Sequence, residues 1–393
     1  MKKCLVAPDS FKGTLSAMEV CREVQAAFAA VMPRCRVVSI PIADGGEGTL
    51  DCLARALPGS RRVHVEVSGP FPGESVEAAY LVEGGTAFLE MAQCAGLPLV
   101  EGRANPLATT THGVGELMAH AIDSGCRRLV LGLGGSCTND GGAGMAAALG
   151  VIFRDAEGRA FVPVGGTLAK IAACDDSAAA ARLAGVEVVA MCDVDVPMHG
   201  PRGAACVFAP QKGASEDDVR LLDKGLRHLD GIMRRMHGVP VADVPGAGAA
   251  GAMGAGVIAF FGGRLKRGIE TVLDAVDFDR HLEGADLVIT GEGRLDAQSA
   301  RGKVVSGIVR RAKARRVPVV VLAGEVDLDA AALEALGVAA AFPINRKCEP
   351  FATARLHARE SLRATAEQVL RLWGAAATGA GSIAQVGFIS RLN

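Results

Sequence analysis

Short apolar runs alternate with amphipathic helical patterns at both ends of the chain. Near the start, apolar runs over residues 3–8 and 36–40 are each followed by a helical pattern. From residue 284 onward, three further apolar runs alternate with three helical patterns. Strands that alternate with helices favour a parallel sheet. We therefore expect these five strands to form one parallel sheet built from both chain ends.

The middle of the chain follows a different pattern. Alternating apolar and polar positions over residues 63–91, interrupted by glycine and proline turns, predict an antiparallel meander. The predicted fold is therefore an α/β protein of two domains. Residues 1–62 and 284–373 form a discontinuous Rossmann-like domain, and residues 63–283 form an inserted α/β domain with mixed or antiparallel strands. The tail, residues 374–393, has no predicted function.

A glycine-rich loop, Gly132–Gly144, lies between an apolar strand and a short helix. Glycines allow close approach to a ligand and turn backbone N–H groups toward an anion, so the loop predicts a phosphate or carboxylate site. A tight turn with glycines for steric reasons is the alternative explanation. The candidate binding residues are Gly134, Gly135, Ser136, Thr138, Asn139, Asp140 and Gly141. A second glycine-rich loop, Gly246–Gly251, lacks a preceding strand and predicts only another close backbone approach.

Polar side chains follow the first two predicted strands. Asp9, Ser10 and Lys12 come after the first strand, and Asp44 and Glu47 come after the second. Ligands bind at the carboxyl ends of strands in open α/β sheets, so these residues are site candidates. Helix caps and solvated turns would explain the same residues without a ligand.

Two further segments carry charge close to a predicted strand end. Asp193 and Asp195 would share one face of a strand, which suits Mg²⁺ binding or base chemistry, although an ordinary turn explains them too. Arg294 and Asp296 follow the third strand of the parallel sheet. Lys212 precedes a helix and by itself indicates little. All these loops could face one cleft between the two domains, where we expect the active site.

The composition argues against nucleic-acid binding, disulfide bonds and a membrane span. The net charge of −1 and the single tryptophan and tyrosine argue against nucleic-acid binding. An odd number of cysteines without metal-binding spacing predicts buried, reduced thiols in the cytoplasm. Residues 244–263 carry no charge, but their glycine content predicts a buried loop and helix rather than a membrane span. We expect no membrane association.

Six motifs, in this order along the chain, resemble those of the bacterial type I glycerate kinases. They are Ala7–Gly13, Ile42–Thr49, Gly132–Gly144, Cys192–Asp195, Pro210–Ala214 and Thr290–Asp296. The resemblance extends over residues 1–373. It implies ATP-dependent, Mg²⁺-assisted phosphorylation of D-glycerate to 2-phosphoglycerate, in glyoxylate and sugar-acid catabolism. The partner would be this small-molecule substrate, and the chain could form a homo-oligomer.

The resemblance assigns expected roles to the candidate residues, because phosphoryl transfer depends on positioning and charge neutralisation. Asp193 would be the base or orient the hydroxyl, and Lys12 and Lys212 would bind phosphate or carboxylate. Asp195 and Asp296 would be Mg²⁺ ligands, and the glycine-rich loop would hold ATP. The substrate-binding residues would be Asp9, Ser10, Asp44, Glu47 and Arg294.

Two alternatives stay open, and a third is disfavoured. The phosphate could go to the 3-hydroxyl of glycerate, or the chain could be a non-catalytic sugar-acid sensor. A Mg²⁺-dependent phosphatase-type hydrolase is disfavoured, because the first strand does not end in a recognisable aspartyl nucleophile motif.

Overall fold

Strands alternate with helices along the chain in this computed structural model, which describes residues 1–43, 45–46, 48–297, 299 and 303–378. In chain order the strands are β1 Lys3–Val6, β2 Arg36–Ser39, β3 Arg61–Ser68, β4 Ser75–Glu83, β5 Thr86–Glu90, β6 Arg128–Gly132, β7 Ile152–Arg154, β8 Ala160–Phe161, β9 Ala173–Asp175, β10 Glu187–Met191, β11 Arg264–Lys266, β12 Leu287–Leu295, β13 Val319–Val326 and β14 Ala340–Pro343.

Helices connect and cover these strands. The α-helices are α1 Ala17–Val31, α2 Thr49–Ala56, α3 Ala92–Ala95, α4 His112–Asp123, α5 Ala143–Leu149, α6 Ser177–Arg182, α7 Ala204–Phe208, α8 Glu216–His237, α9 Ala249–Phe261, α10 Gly268–Ala275, α11 Phe278–Leu282, α12 Val304–Ala314, α13 Ala330–Leu336, α14 Phe351–Ala354 and α15 Ala358–Thr378. Short 3₁₀ turns occur at Leu97–Val100, Gly165–Lys170, Pro210–Lys212 and Arg355–His357.

The chain divides into two compact units. The first unit comprises residues 1–43 together with the chain from residue 273 onward, and the second comprises residues 44–272. The boundaries expected from the sequence were residues 62 and 283. The helix α2 and strand β3 fall in the second unit because β3 pairs with β4 along its whole length and α2 packs against β4 and β5.

The first unit contains the expected parallel sheet built from both chain ends. Its five strands lie in the order β14-β13-β12-β1-β2, and every neighbouring pair is parallel. The strand β1 lies inside this sheet between β12 and β2, and its residues Cys4, Leu5 and Val6 are fully buried. The fold class predicted for this part of the chain is therefore confirmed.

Helix α1 begins where its sequence pattern indicates and covers one face of this sheet. Ser16 and Glu19 form the predicted capping box, in which each side chain binds the backbone N–H of the other residue. Phe28 is buried in a core cluster that also contains residues of α15, and the Glu23 carboxylate pairs with Arg363 of α15 at 2.6 Å. The first and last long helices of the unit thus pack together.

The second unit contains a six-stranded mixed sheet in the order β11-β10-β6-β5-β4-β3. The strands β3, β4 and β5 form the predicted antiparallel meander. The strands β5, β6, β10 and β11 are parallel to one another, so the mixed sheet expected for the inserted domain is confirmed. A smaller antiparallel sheet has the order β8-β7-β9.

The uncharged segment 244–263 is a buried loop followed by helix α9, as its glycine content predicted. Within the described parts of the chain, the helices are too short or too polar to span a bilayer. All eleven cysteines are free thiols. The expectation that they are buried is confirmed for six of them, whereas Cys35, Cys174 and Cys192 are half-buried. It is wrong for Cys206 and Cys348, which are exposed.

Candidate functional site

The glycine-rich loop leaves the carboxyl end of β6 and enters α5, as predicted. Two different steric requirements explain why glycine occupies positions in this loop. Gly135, Gly141 and Gly142 have positive φ angles of 75°, 64° and 74°, which other residues adopt with strain. At Gly134, a Cβ atom would lie only 2.7 Å from the Cα of Gly46. Steric demands of a tight turn therefore explain part of the glycine content.

The carboxylate of Asp140 holds this loop together from within. It is fully buried, and Oδ2 accepts hydrogen bonds from the Thr111 backbone and hydroxyl, both at 2.8 Å, and from the Gly144 N–H at 3.2 Å. Its other oxygen accepts from the Gly142 N–H at 3.1 Å. Burial raises the pKa of Asp140, and these hydrogen bonds oppose the rise. Asp140 therefore connects the loop to the start of α4 through hydrogen bonds.

Two neighbouring side chains of the loop carry polar atoms that have no such partners. Thr138 and Asn139 are fully buried, yet Thr138 Oγ1 and both amide atoms of Asn139 make no hydrogen bond to any described residue. A buried polar atom left unpaired costs about 1–3 kcal/mol. Native proteins keep few such atoms, and each suggests a missing ligand, ion or water.

Lys212 joins the loop from the 3₁₀ turn before α8. Its side chain is buried, and Nζ donates to Ser136 Oγ at 2.8 Å and to Thr138 O at 2.7 Å. Burial lowers the pKa of Lys212 to about 8, against the attraction of Asp140. The ammonium group is therefore still mainly protonated at pH 7. The second unit thus brings three predicted site residues, Ser136, Thr138 and Lys212, into direct contact.

The second glycine-rich loop packs directly on the first, as its close-approach prediction suggested. The Gly141 N–H donates to Gly251 O at 3.0 Å, and a Cβ atom on Gly251 would overlap the Thr138 carbonyl. Its neighbours Ala250 and Ala252 have positive φ angles of 54° and 69°. Such backbone strain in non-glycine residues persists where the surroundings impose it, and it clusters at functional sites.

We expect Gly251→Ala to lower the free energy of unfolding by roughly 2–5 kcal/mol, because it combines overpacking with a left-handed alanine. Gly262→Ala at the end of α9 is the matched control. Its φ angle is also positive, at 59°, but a Cβ atom there meets nothing within 4 Å. Urea denaturation of both variants compares the two losses, and equal losses would contradict the packing of Gly251 on Thr138.

Asp193 and Asp195 lie beyond β10, which ends at Met191. The expectation that they share one face of a strand is therefore wrong, because β10 pairs with β6 and β11 only up to Met191. Both aspartates are exposed, and Asp193 Oδ1 accepts the Gly268 N–H at the start of α10 at 3.0 Å. Since β6 and β10 are parallel neighbours, the loop that carries Asp193 and Asp195 leaves the same edge of the sheet as the glycine-rich loop.

In the first unit, the turn after β1 lies beside the middle of β12. The Asp9 N–H donates to Gly291 O at 2.8 Å, and Asp9 Oδ1 accepts the Ser10 N–H at 2.6 Å. Asp9 and Ser10 are half-buried, whereas Lys12 is exposed. The other predicted substrate residues of this region, Asp44 and Glu47, lie outside the described residues.

The strand β12 extends beyond the strand end that the sequence suggested at Thr290, because β13 pairs with it as far as Leu295. Arg294 therefore lies in a strand, where its guanidinium group pairs with Asp327 at 2.6 Å. Asp296 follows the strand, and its Oδ1 accepts the Ser299 N–H at 3.3 Å. Both predicted side chains thus take part in local structure.

The sequence interpretation did not include Glu292 among its candidate residues. Its side chain is only 7% exposed, and Oε1 makes no hydrogen bond to the described residues. Burial is the main cause that raises its pKa to about 7, and the charge of Asp9 adds to this. The available signal was a carboxylate between two glycines in a segment otherwise read as a charged strand end.

The chain is similar to known proteins over nearly its whole length. A sequence model of the glycerate kinase family matches residues 4–374. A glycerate kinase of Bacillus cereus is 46% identical over 94% of this chain and 98% of its own, and the glycerate 2-kinase of Escherichia coli K12 is 44% identical over 87% and 90%. The crystal structure of a protein assigned as glycerate kinase 2 from Salmonella typhimurium LT2 superposes with a TM-score of 0.85 at 41% identity, covering 96% of this chain and 99% of that one.

Proposed function

This chain belongs to the glycerate kinase family, and we propose that it transfers the γ-phosphoryl group of ATP to the 2-hydroxyl of D-glycerate. The observation that carries the proposal is the buried Lys212 ammonium group in contact with the glycine-rich loop, next to the unpaired polar atoms of Thr138 and Asn139. The relative named glycerate 2-kinase, 44% identical, favours the 2-hydroxyl over the 3-hydroxyl as the acceptor.

The glycine-rich loop supplies what a nucleotide phosphate needs. Phosphoryl transfer is catalysed mainly by positioning and by stabilising charge on the phosphate oxygens. The Lys212 ammonium provides a fixed positive charge in a water-poor environment, where electrostatic interactions are stronger than in water. The Asn139 amide and the Thr138 hydroxyl provide further hydrogen-bonding groups, which the fold leaves unpaired. We therefore assign ATP to this loop.

Mg²⁺ fits the residues near this loop only as a companion of the nucleotide. Among the described residues, no group of three or more metal-binding side chains is arranged to hold an ion. Mg²⁺ keeps several waters and commonly binds through one or two carboxylates plus substrate phosphates. Asp195, exposed at the same sheet edge, is the carboxylate we assign to it. When bound, Mg²⁺ would neutralise charge on the phosphates.

Asp296 is a weaker candidate ligand, because its carboxylate caps a turn through Ser299. Asp193 likewise anchors its own loop to the start of α10. We therefore propose that Asp193 positions the Asp195 loop, and we do not retain it as the base.

Glycerate offers a carboxylate and two hydroxyl groups to the protein. We propose that the turn after β1 binds it, with the Lys12 ammonium facing the carboxylate and the half-buried Asp9 and Ser10 accepting or donating hydrogen bonds to the hydroxyls. Arg294 is less suited, because Asp327 and Glu325 already pair with its guanidinium group. The position of the site in a cleft between the two domains stays a prediction.

Eleven free cysteines support a reducing cytoplasm as the place of action.

Coupled detection of ADP tests the proposed reaction. We expect ADP to form only when ATP, Mg²⁺ and D-glycerate are all present, because without substrate a water molecule is poorly placed for attack. L-Glycerate has the same charge and groups but the opposite configuration, so it is the matched control. Equal ATP turnover without glycerate would contradict the proposal and favour a hydrolase. Glycerate binding without any ADP formation would favour a non-catalytic sensor.

A further inference from the structure

Glu292 is a buried carboxyl group that none of the roles above uses. It lies in β12 between two glycines that hold the backbone close to its neighbours. A Cβ atom on Gly291 would overlap the carbonyl of Leu322 in β13, and one on Gly293 would lie 3.3 Å from the Lys12 backbone nitrogen. The strand is therefore packed tightly on both sides of Glu292, which fixes the backbone position of this residue.

One oxygen of Glu292 is unpaired although the side chain is more than nine-tenths buried. Ser299 hydrogen-bonds the carboxyl group, but Oε1 has no hydrogen-bond partner among the described residues. A buried oxygen without a donor is costly, so the site is suited to a ligand that brings a donor. The location agrees, because Glu292 lies beyond Ile289, where the neighbouring strand β1 ends, and α/β sheets bind ligands beyond the carboxyl ends of their strands.

The neighbours of Glu292 come from the turns that follow two adjacent strands and from the start of a helix. Asp9 follows β1, Asp296 follows β12, and both negative charges raise the pKa of Glu292, which burial already raises. Lys303, at the N-cap of α12, and Ser299 lower it. The result, a pKa of about 7, suits a group that must accept a proton near neutral pH.

We propose that the Glu292 carboxylate accepts the proton of the glycerate hydroxyl as that oxygen attacks ATP. The attacking oxygen forms a new bond to the γ-phosphorus, and the bond from the γ-phosphorus to the β–γ bridging oxygen breaks. ADP leaves with that electron pair. The proton moves to Glu292 and is then released to solvent. The assignment rests on the proposed kinase function and on binding of glycerate beside Asp9.

The exposed position of Asp193 argues for Glu292 as the base. Asp193 is open to solvent, and its carboxylate already accepts the Gly268 N–H, which holds its own loop to the start of α10. Glu292 combines burial, an unpaired oxygen and a strand backbone that fixes its position. A general base needs a fixed position and a pKa close to the working pH, and Glu292 meets both requirements better than Asp193 does.

Glu292→Gln tests the proposal, with Glu325→Gln as the matched control on the exposed end of β13. Gln keeps the shape of the side chain but cannot take a proton, so we expect kcat to fall about 10²-fold or more, a typical loss for a general base. The KM for ATP should change less than about twofold, since ATP is assigned to the glycine-rich loop. Glu292→Asp should recover part of the rate, because it restores the carboxylate. Glu325→Gln should behave like the wild type.

The pH dependence of kcat separates a base from a structural role. The wild-type rate should fall as the pH drops below about 7, where Glu292 becomes protonated. The residual rate of Glu292→Gln should lack this decrease. A wild-type kcat in Glu292→Gln would overturn the assignment while leaving the kinase function intact. The same conclusion would follow if the rate of Glu292→Gln still fell below about pH 7 as the wild-type rate does. A wild-type protein without glycerate-dependent ADP formation would instead reject the kinase function itself. If Glu292→Gln does not fold, Glu292→Asp reports on the same pH limb.

Discussion

Replacing Lys212 by methionine should lower kcat by about 10²–10³-fold, the loss that follows removal of one preorganised charge-stabilising donor. Methionine has a similar length and is tolerated in apolar surroundings, so the chain should stay folded. The variant removes the positive charge and the hydrogen bonds from Nζ to Ser136 and Thr138. Steady-state kinetics at saturating ATP and glycerate, together with a thermal melt, measure both effects.

Lys224→Met is the matched control for this substitution. Lys224 lies in α8, twelve residues beyond Lys212, and its side chain is exposed. The same chemical change there should leave kcat within about twofold of the wild type, as is usual for surface substitutions. A wild-type kcat in Lys212→Met, or an equal loss in both variants, would remove Lys212 from the site.

The pKa of Lys212 also predicts a pH dependence. Burial lowers it to about 8, whereas the group has a pKa of 10.5 when unperturbed. The kcat/KM for ATP should therefore decline as the pH rises through about 8 and the ammonium loses its charge. Between pH 8 and 10.5 the unfolded chain binds more protons at this residue, so its contribution to the free energy of unfolding rises with pH. Lys212→Met should lose both trends.

Asn139→Leu should weaken ATP binding and stabilise the protein at the same time. Leucine is close to asparagine in size but carries no polar atoms, and both amide atoms of Asn139 are buried and unpaired. Replacing such a group by an apolar one should raise the free energy of unfolding by about 1 kcal/mol or more. Loss of hydrogen bonds to the nucleotide should raise the Kd of ATP by about 10–100-fold.

Calorimetric titration with ATP and urea denaturation measure the two effects of Asn139→Leu independently. Asn345→Leu is the control, because Asn345 is exposed and its amide donates to Gly324 O. That variant should lose a little stability and keep the ATP affinity. Unchanged ATP affinity in Asn139→Leu would move the nucleotide away from the loop. A clear loss of stability would mean that the amide already has a partner.

Local patterns predicted much of this fold. The capping box at Ser16 and the helix after the glycine-rich loop depend on residues close together in the chain, so their positions follow from the sequence. The five strands of the first unit were predicted because each is a short apolar run followed by a helix. Their assembly into one parallel sheet followed from topology rules rather than from any single residue.

Features that depend on distant pairing could not be predicted in this way. The strand β12 continues past Glu292 because β13 pairs with it, and this pairing buries a carboxylate in a segment that resembles a charged loop. The strand β10 ends before Asp193 because its neighbours stop pairing at Met191. Lys212 is buried by a loop more than seventy residues away in the chain. These contacts form only when the sheets are assembled.

Phosphorus NMR of the reaction product distinguishes phosphorylation of the 2-hydroxyl from the alternative reactions. The protein is incubated with ATP, Mg²⁺ and D-glycerate, and the proton-coupled spectrum is recorded. A phosphate on the 2-oxygen is attached through a carbon that bears one proton, so we expect one new phosphomonoester signal that is a doublet. A triplet would show that the phosphate is on the CH₂ oxygen and contradict the 2-hydroxyl as acceptor. Release of inorganic phosphate without any new ester signal would contradict the kinase function.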